Sequence, residues 1–301
     1  MSHPIRIANA PCSWGVLELA VAGKSPEYPQ VLDEMASAGY EGTELGDWGF
    51  MPTDPERLRE ELAQRKLEML AAFVPVALRD ASTHEDGRMR ALATARLLAA
   101  VAKSPFIVLA DDNGADETRT KHAGRITPEQ GLGDDAWRTF ARGADDIARA
   151  VLDETGVRTV FHPHCAGFVE TPGEIERFLG ATDPKLVGLC LDTGHTTFGG
   201  GDALALTKKA NGRIWHVHFK DCHAGIAKAA REAGADYFEA VRLGVFCELG
   251  QGEVDFRGVL DELRAMEYRG WIVVEQDVLP GMGTPLDSAK RSREFLRDLG
   301  L

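Results

Sequence analysis

The stretch Gly188-Leu-Cys-Leu-Asp192-Thr-Gly-His195 decides how the rest of the chain is read. A short apolar run stops abruptly in an acid, a glycine and a histidine. A buried strand delivers polar groups to the mouth of an α/β fold in this way. One strand end of the same form precedes it, Phe161-His162-Pro-His164. Two follow it, His216-Val-His218-Phe-Lys220-Asp221 and Val273-Val-Glu275-Gln-Asp277. Oxygen and imidazole donors arriving from four strand ends point to a divalent metal.

Outward from this stretch, strand-like and helix-like segments alternate to both ends of the chain. Strands are expected at Ile5–Asn9, Gly42–Gly46, Leu67–Pro75, Phe106–Ala110, Val157–Phe161, Leu186–Asp192, Ile214–Lys220 and Trp271–Glu275. Each is followed by helical spacing. Start signals include Asp54-Pro55 (cap, then Pro at the first helical position) and Thr171-Pro172-Gly-Glu174 (a capping box). Alternating βα units imply a parallel sheet with right-handed crossovers. Eight such units in this length fit an α/β fold of the (β/α)8 TIM-barrel type, one domain over residues 1–301. Two segments are too long for connectors, 113–133 and 222–254, and are read as insertions. The second is expected to hold one or two helical turns, at Ala227–Ala233 and Phe238–Leu243.

Composition limits the partners. The 301 residues are 44% hydrophobic, enough for a large core, and carry a formal net charge of -13. That charge repels phosphate backbones and anionic lipid, so neither nucleic acid nor membrane is expected as a partner. The opening residues Met1-Ser-His-Pro-Ile-Arg have no signal-peptide core, and no run is long enough to span a bilayer. A cytoplasmic location is expected. The five cysteines are scattered without a CxxC pair and read as reduced thiols. A homo-oligomer is compatible with the sequence, which leaves quaternary state open.

In a barrel of this type the active site lies at the C-terminal ends of the strands. The polar residues fall there: Glu44, Asp111, His162 and His164, Asp192, His216, His218 and Lys220, and Glu275. Side chains two apart on a strand share a face. Asp192, His218 and Glu275, from adjacent strands, offer two carboxylates and an imidazole to a metal. A fourth ligand is expected from His162 or from Glu170 beyond it. With no thiolate in the set, a hard or borderline ion is expected rather than a structural zinc. His216 reads as a core histidine able to orient a ligand by hydrogen bonding. His195 reads as a loop histidine or a group facing substrate. Lys220 reads as an ion-pair partner of Asp221 or a substrate contact. Trp14 reads as a pocket wall or a lid on the barrel core. Gly250-x-Gly252 lacks the third glycine of a nucleotide fingerprint and is discounted as one.

The strand ends Asp192-Thr-Gly-His195, His216-Val-His218-Phe-Lys220-Asp221 and Glu275 resemble those of the xylose-isomerase-like barrel superfamily. Within it, three stretches are similar to the inosose dehydratase family. One is Asn9-Ala-Pro-Cys-Ser-Trp14-Gly15 with Tyr40-Glu-Gly-Thr-Glu44-Leu-Gly46. The second is His162-Pro-His164-Cys-Ala-Gly167. The most specific runs from Phe238 through Arg242, Gly250 and Gly252 to Phe256. The resemblance implies a bound divalent ion, commonly Mn²⁺ or Co²⁺, with Mg²⁺, Fe²⁺ or Zn²⁺ also compatible. It implies loss of water from a cyclic 2-ketopolyol such as 2-keto-myo-inositol, giving a dione. The superfamily pattern carries onto Asp192, His218 and Glu275 as ligands. It departs at the fifth strand, where many relatives place a glutamate and this chain has His162.

The expected mechanism removes the proton α to the carbonyl by His164 or Glu275 and protonates the departing β-hydroxyl from His195 or another protonated histidine. Trp14, Glu44 and Lys220 are the expected substrate contacts. The rival readings are a metal-dependent sugar isomerase or epimerase, a DNA-repair enzyme, and a non-catalytic sugar-binding protein. Specificity is expected in the loops after strands three, four and seven.

Overall fold

The computed structural model describes residues 5–16, 26–278 and 283–301. Residues 1–4, which open the segment expected to lack a signal core, lie outside them. Among the described residues, eight parallel strands form the frame: β1 (Arg6–Asn9), β2 (Gly42–Thr43), β3 (Glu68–Met69, continuing as Ala71–Val76), β4 (Phe106–Asp111), β5 (Arg158–Phe161), β6 (Val187–Asp192), β7 (Ile214–Phe219) and β8 (Trp271–Val274). Each strand pairs with its sequence neighbours, and β1 pairs with β8 through Arg6 opposite Trp271. The ring closes at the interruption in β3. The Leu70 amide donates to the Thr43 carbonyl on β2 at 3.1 Å, while the Leu70 carbonyl accepts from the Phe106 amide on β4 at 2.9 Å.

The two-residue period of a strand sorts every side chain. Ala8, Val108, Val160, Cys190 and Val273 meet inside the ring. Their neighbours Ile7, Ile107, Leu109, Phe161, Leu189, Leu191 and Val274 face out and pack under the helices. The outer layer includes Phe161 and Phe178 with ring centroids 4.0 Å apart. Gly188 has its own reason within β6. A Cβ there would lie 2.2 Å from the Trp215 ring, so the strand can carry only glycine beside that indole.

The surrounding helices are α1 (Tyr28–Ala38), α2 (Pro55–Arg65), α3 (His84–Val101), α4 (Glu117–Lys121), α5 (Asp134–Thr155), α6 (Pro172–Ala181), α7 (Thr193–Phe198), α8 (Ala203–Lys209), α9 (Ala224–Ala233), α10 (Tyr237–Arg242), α11 (Phe256–Ala265) and α12 (Pro285–Asp298). The cap signals act as read. Asp54 accepts the Arg57 amide at 2.9 Å, and Thr171 and Glu174 form a reciprocal capping box. Helix α7 falls where the sequence suggested a loop around His195. Asp192 ends β6 and also caps α7, accepting the His195 amide at 2.7 Å. No helix among the described residues is long and apolar enough to cross a membrane. All five cysteines are free thiols.

The second insertion holds more structure than one or two turns: α9, α10 and a short antiparallel ladder of Asp221–Cys222 against Phe246–Cys247. Asp221 organises it. Its carboxylate accepts amides from Cys222 at 2.9 Å, Gly250 at 2.8 Å, Gly252 at 2.8 Å and Val254 at 3.2 Å. A Cβ on Gly252 would lie 2.2 Å from that carboxylate, so the Gly250-Gln-Gly252 turn is a nest for Asp221. Asp221→Ala strands four amide donors and is expected to cost about 2–4 kcal/mol in urea unfolding. A loss below about 0.5 kcal/mol would mean that water replaces the carboxylate at no cost.

Candidate metal centre and active site

The inward-facing register continues past the strand tips and lines a cavity of about 620 Å³. From β1 come Ala10 and Cys12, and from beyond β2, Glu44. From β3 come Phe73 and Pro75, and from beyond β4, Asp112. From β5 come His162 and His164, from β7 His218 and Lys220, and from β8 Glu275 and Asp277. Asp111, of opposite parity, does not line the cavity. It accepts the Phe168 amide at 2.9 Å, and burial pushes its carboxyl up to about 6.

At the cavity floor, His162, Asp192, His218 and Glu275 each place a donor atom within 4.8 Å of the others. His218 Nδ1 lies 3.2 Å from Glu275 Oε1 and 3.8 Å from Asp192 Oδ2. His162 Nε2 lies 3.4 Å from Asp192 Oδ2. Asp192 Oδ2 and His218 Nδ1, both within the quartet, are buried without a hydrogen-bond partner. Unpaired buried polar atoms of this kind are costly, and two of them together beside the Glu275 carboxylate and the His162 ring suit a cation. Two carboxylate oxygens and two imidazole nitrogens at this spacing fit a divalent ion with bonds of about 2.0–2.2 Å.

Glu44 holds this group from behind. Its Oε1 accepts from His216 Nε2 at 2.7 Å and from His218 Nε2 at 2.9 Å. A proton on His218 Nε2 leaves Nδ1 with its lone pair toward the other three donors. A carboxylate often orients a metal-binding histidine in this way. Burial alone would raise the Glu44 carboxyl, but the two imidazoles hold it well below the usual range. Glu44 borders the cavity too, so its expected contact with substrate and its grip on the histidines are compatible. Lys220 does not pair with Asp221. Its Nζ lies 3.3 Å from Glu275 Oε2 and 3.5 Å from Asp277 Oδ1. Burial opposes its charge, yet Asp277, Glu275 and Asp192 keep it well above the ordinary lysine value.

One residue, Cys165, fixes the tautomers of two histidines. Its carbonyl can only accept, so His164 Nδ1, 2.7 Å away, carries the proton and Nε2 keeps a lone pair. Its amide can only donate, so His195 Nδ1, 3.3 Å away, keeps the lone pair. Burial, then His162 and Lys220, hold His164 well below the usual histidine value. His195 is shifted the same way by burial and by His164.

Three expected residues stand elsewhere. His195 was expected to face substrate as an acid, but it lies tilted against His164 at a centroid distance of 3.8 Å and does not border the cavity. The cause is α7, which turns the chain inward one residue after Asp192. Glu170, the alternative fourth ligand, lies outside the quartet. It accepts the Gly124 amide at 2.6 Å and the Ala166 amide at 2.9 Å, and burial pushes it up to about 7. Trp14 is not a cavity wall. It is 3% exposed within the main core, and its indole N–H donates to Glu34 at 2.7 Å. Asp277 and Tyr237 border the cavity and were not among the expected site residues. For Asp277 the signal was available, two residues past Glu275 on the same face. Tyr237 gave none, since its helix reaches the site only through the fold.

Comparison with known proteins identifies the family and the fold. The profile of the family described as Xylose isomerase-like TIM barrel matches residues 32–299. An inosose dehydratase of Geobacillus kaustophilus (strain HTA426) is 32% identical over 294 residues, covering 98% of this chain and 94% of that protein. The rhizopine catabolism protein MocC of Rhizobium meliloti is 35% identical over 301 residues, covering 97% of this chain and 87% of that protein. In fold, the chain is similar to the IOLI protein crystallised with a bound zinc atom (TM-score 0.70, 15% identity, 98% of each chain). It is equally similar to the 3-keto-D-glucoside 4-epimerase of E. coli (TM-score 0.70, 16% identity, 98% of this chain and 100% of that one). The chain belongs to the xylose isomerase-like TIM barrel family and stands, within it, with the inosose dehydratases.

Proposed function

We propose that this chain is a hydro-lyase that removes water from an inosose, a cyclic 2-ketopolyol. The observation that carries the reading is the quartet His162, Asp192, His218 and Glu275 opening into a cavity whose wall holds the neutral His164. Kinship with proteins named inosose dehydratase supports the substrate class. The cavity volume of about 620 Å³ is ample for one six-membered polyol ring.

The quartet is the place for a divalent ion; its mixed oxygen and nitrogen donors admit several, and the family resemblance implies Mn²⁺ or Co²⁺. Such an ion would supply Lewis-acid stabilisation to the negative charge that develops on the ketone oxygen. His164 Nε2 accepts the α-proton, its ring orientation fixed through Nδ1 and the Cys165 carbonyl. The freed electron pair forms the double bond as the bond from the β-carbon to its hydroxyl breaks. The imidazolium on the same wall then returns the proton to the leaving hydroxyl, so water departs and the base is regenerated. Lys220, steadied by Glu275 and Asp277, and the cavity-facing side of Glu44 hold ring hydroxyls in place. A small-molecule polyol is the expected partner.

The test is turnover of 2-keto-myo-inositol by the Mn²⁺-loaded protein in D₂O, followed by NMR. Water loss with formation of a dione is the expected outcome. Deuterium incorporation with no water lost would identify an isomerase or epimerase instead. No change in any ketopolyol would remove the assignment.

A further inference from the structure

We propose that Tyr237 determines substrate specificity, its hydroxyl donating a hydrogen bond to a ring hydroxyl of the polyol bound against His164. This rests on the function proposed above. Tyr237 is only 4% exposed, and what remains open borders the cavity. Its hydroxyl has no hydrogen-bond partner among the described residues, although a buried tyrosine normally finds one. The ring is held on three sides: 5.5 Å from His164, 6.3 Å from His195 and 5.4 Å from Phe238, centroid to centroid. Burial pushes the phenol upward, so it stays a neutral donor. The result is a rigid donor, unpaired in the protein, facing the volume the substrate must fill.

The route by which Tyr237 reaches the cavity sets it apart from the chemical groups. The groups on the strand tips are placed by the barrel. Tyr237 opens α10, whose start is fixed by a capping box of Asp236 and Glu239. The helix is then gripped by the other insertion. Arg125 Nη1 donates to the Ala235 carbonyl at 2.8 Å, and Arg231 Nε donates back to the Gly124 carbonyl at 2.8 Å. Phe238 packs over Gly114, where a Cβ would come within 2.8 Å of the ring and φ is +83°. The two insertions thus clasp each other above the barrel and present the phenol to the cavity. A reading group on an insertion can change between relatives without disturbing the chemistry on the strand tips.

The experiment compares wild type and Tyr237→Phe, both loaded with Mn²⁺, on 2-keto-myo-inositol and its monodeoxy analogues. A site built to bond a hydroxyl discriminates strongly against an analogue that lacks it. Tyr237→Phe is expected to lower kcat/KM on the parent compound by about tenfold or more, mainly through KM, with little change in Tm. For one monodeoxy analogue the two proteins should perform alike, because the contact is already missing. Equal kcat/KM for the two proteins on the parent compound would overturn the inference and leave the dehydratase reading standing. A uniform loss across all analogues would mark a structural role and overturn it as well. Failure of wild type to turn over any ketopolyol would remove both.

Discussion

Asp192→Asn and His218→Gln, combined in one protein, are expected to eliminate bound divalent metal and to lower water loss by at least about 10³-fold, or roughly 4 kcal/mol of transition-state stabilisation. Asparagine is the informative replacement at 192. It keeps an oxygen for the His195 amide, so the cap of α7, which alanine would remove, survives. It discards the anionic oxygen, which is buried with no other partner. At 218, glutamine removes the nitrogen that Glu44 turns toward the quartet. Metal content by elemental analysis should fall from about one ion per chain to near zero, and the thermal gain from added Mn²⁺ should vanish with it. Retained metal with lost turnover would place the ion elsewhere. Full turnover in the double variant would exclude metal-assisted chemistry at these residues.

His164→Ala should leave metal content unchanged and reduce kcat by about 10²–10⁴-fold, the range for loss of a positioned general base. His164 is outside the quartet, and its Nε2 faces the cavity because Cys165 occupies Nδ1. The decisive readout is exchange of the substrate α-proton with D₂O. If His164 takes that proton, exchange and water loss should fall together. Exchange at the wild-type rate with dehydration lost would assign the proton abstraction to another group, with Glu275 as the first candidate. The Tyr237→Phe protein offers the contrast, since a weakened substrate contact changes KM more than proton exchange at saturation.

Much of this molecule could be read along the chain. The alternation of eight strand and helix units determined the barrel, because parallel strands need crossover helices and their buried runs end where polar groups can meet solvent. The two-residue period then placed Asp192, His218 and Glu275 at one end and on one face. Proline and acid signals marked helix starts, because orphan amides there need an acceptor. All of these are local rules acting over a few residues.

What local rules left open was settled by contacts between distant segments. His162 and Glu170 looked equivalent as ligands, eight residues apart. The backbone turn after β5 sends one into the quartet and pairs the other with the amides of Gly124 and Ala166. His195 passed for a substrate-facing group until α7 folded it against His164. Lys220 pairs with Asp277 and Glu275 rather than with adjacent Asp221, which is taken by the nest at Gly250–Gly252. Glu44 reaches His216 across 172 residues of sequence, a distance that only the closed ring removes. The sequence by itself determined which strand ends stand at the mouth of the barrel. Only the tertiary structure decided which of their side chains touch, because strand period is a property of one segment, whereas hydrogen-bond partners depend on the register between strands and the path of the insertions above them.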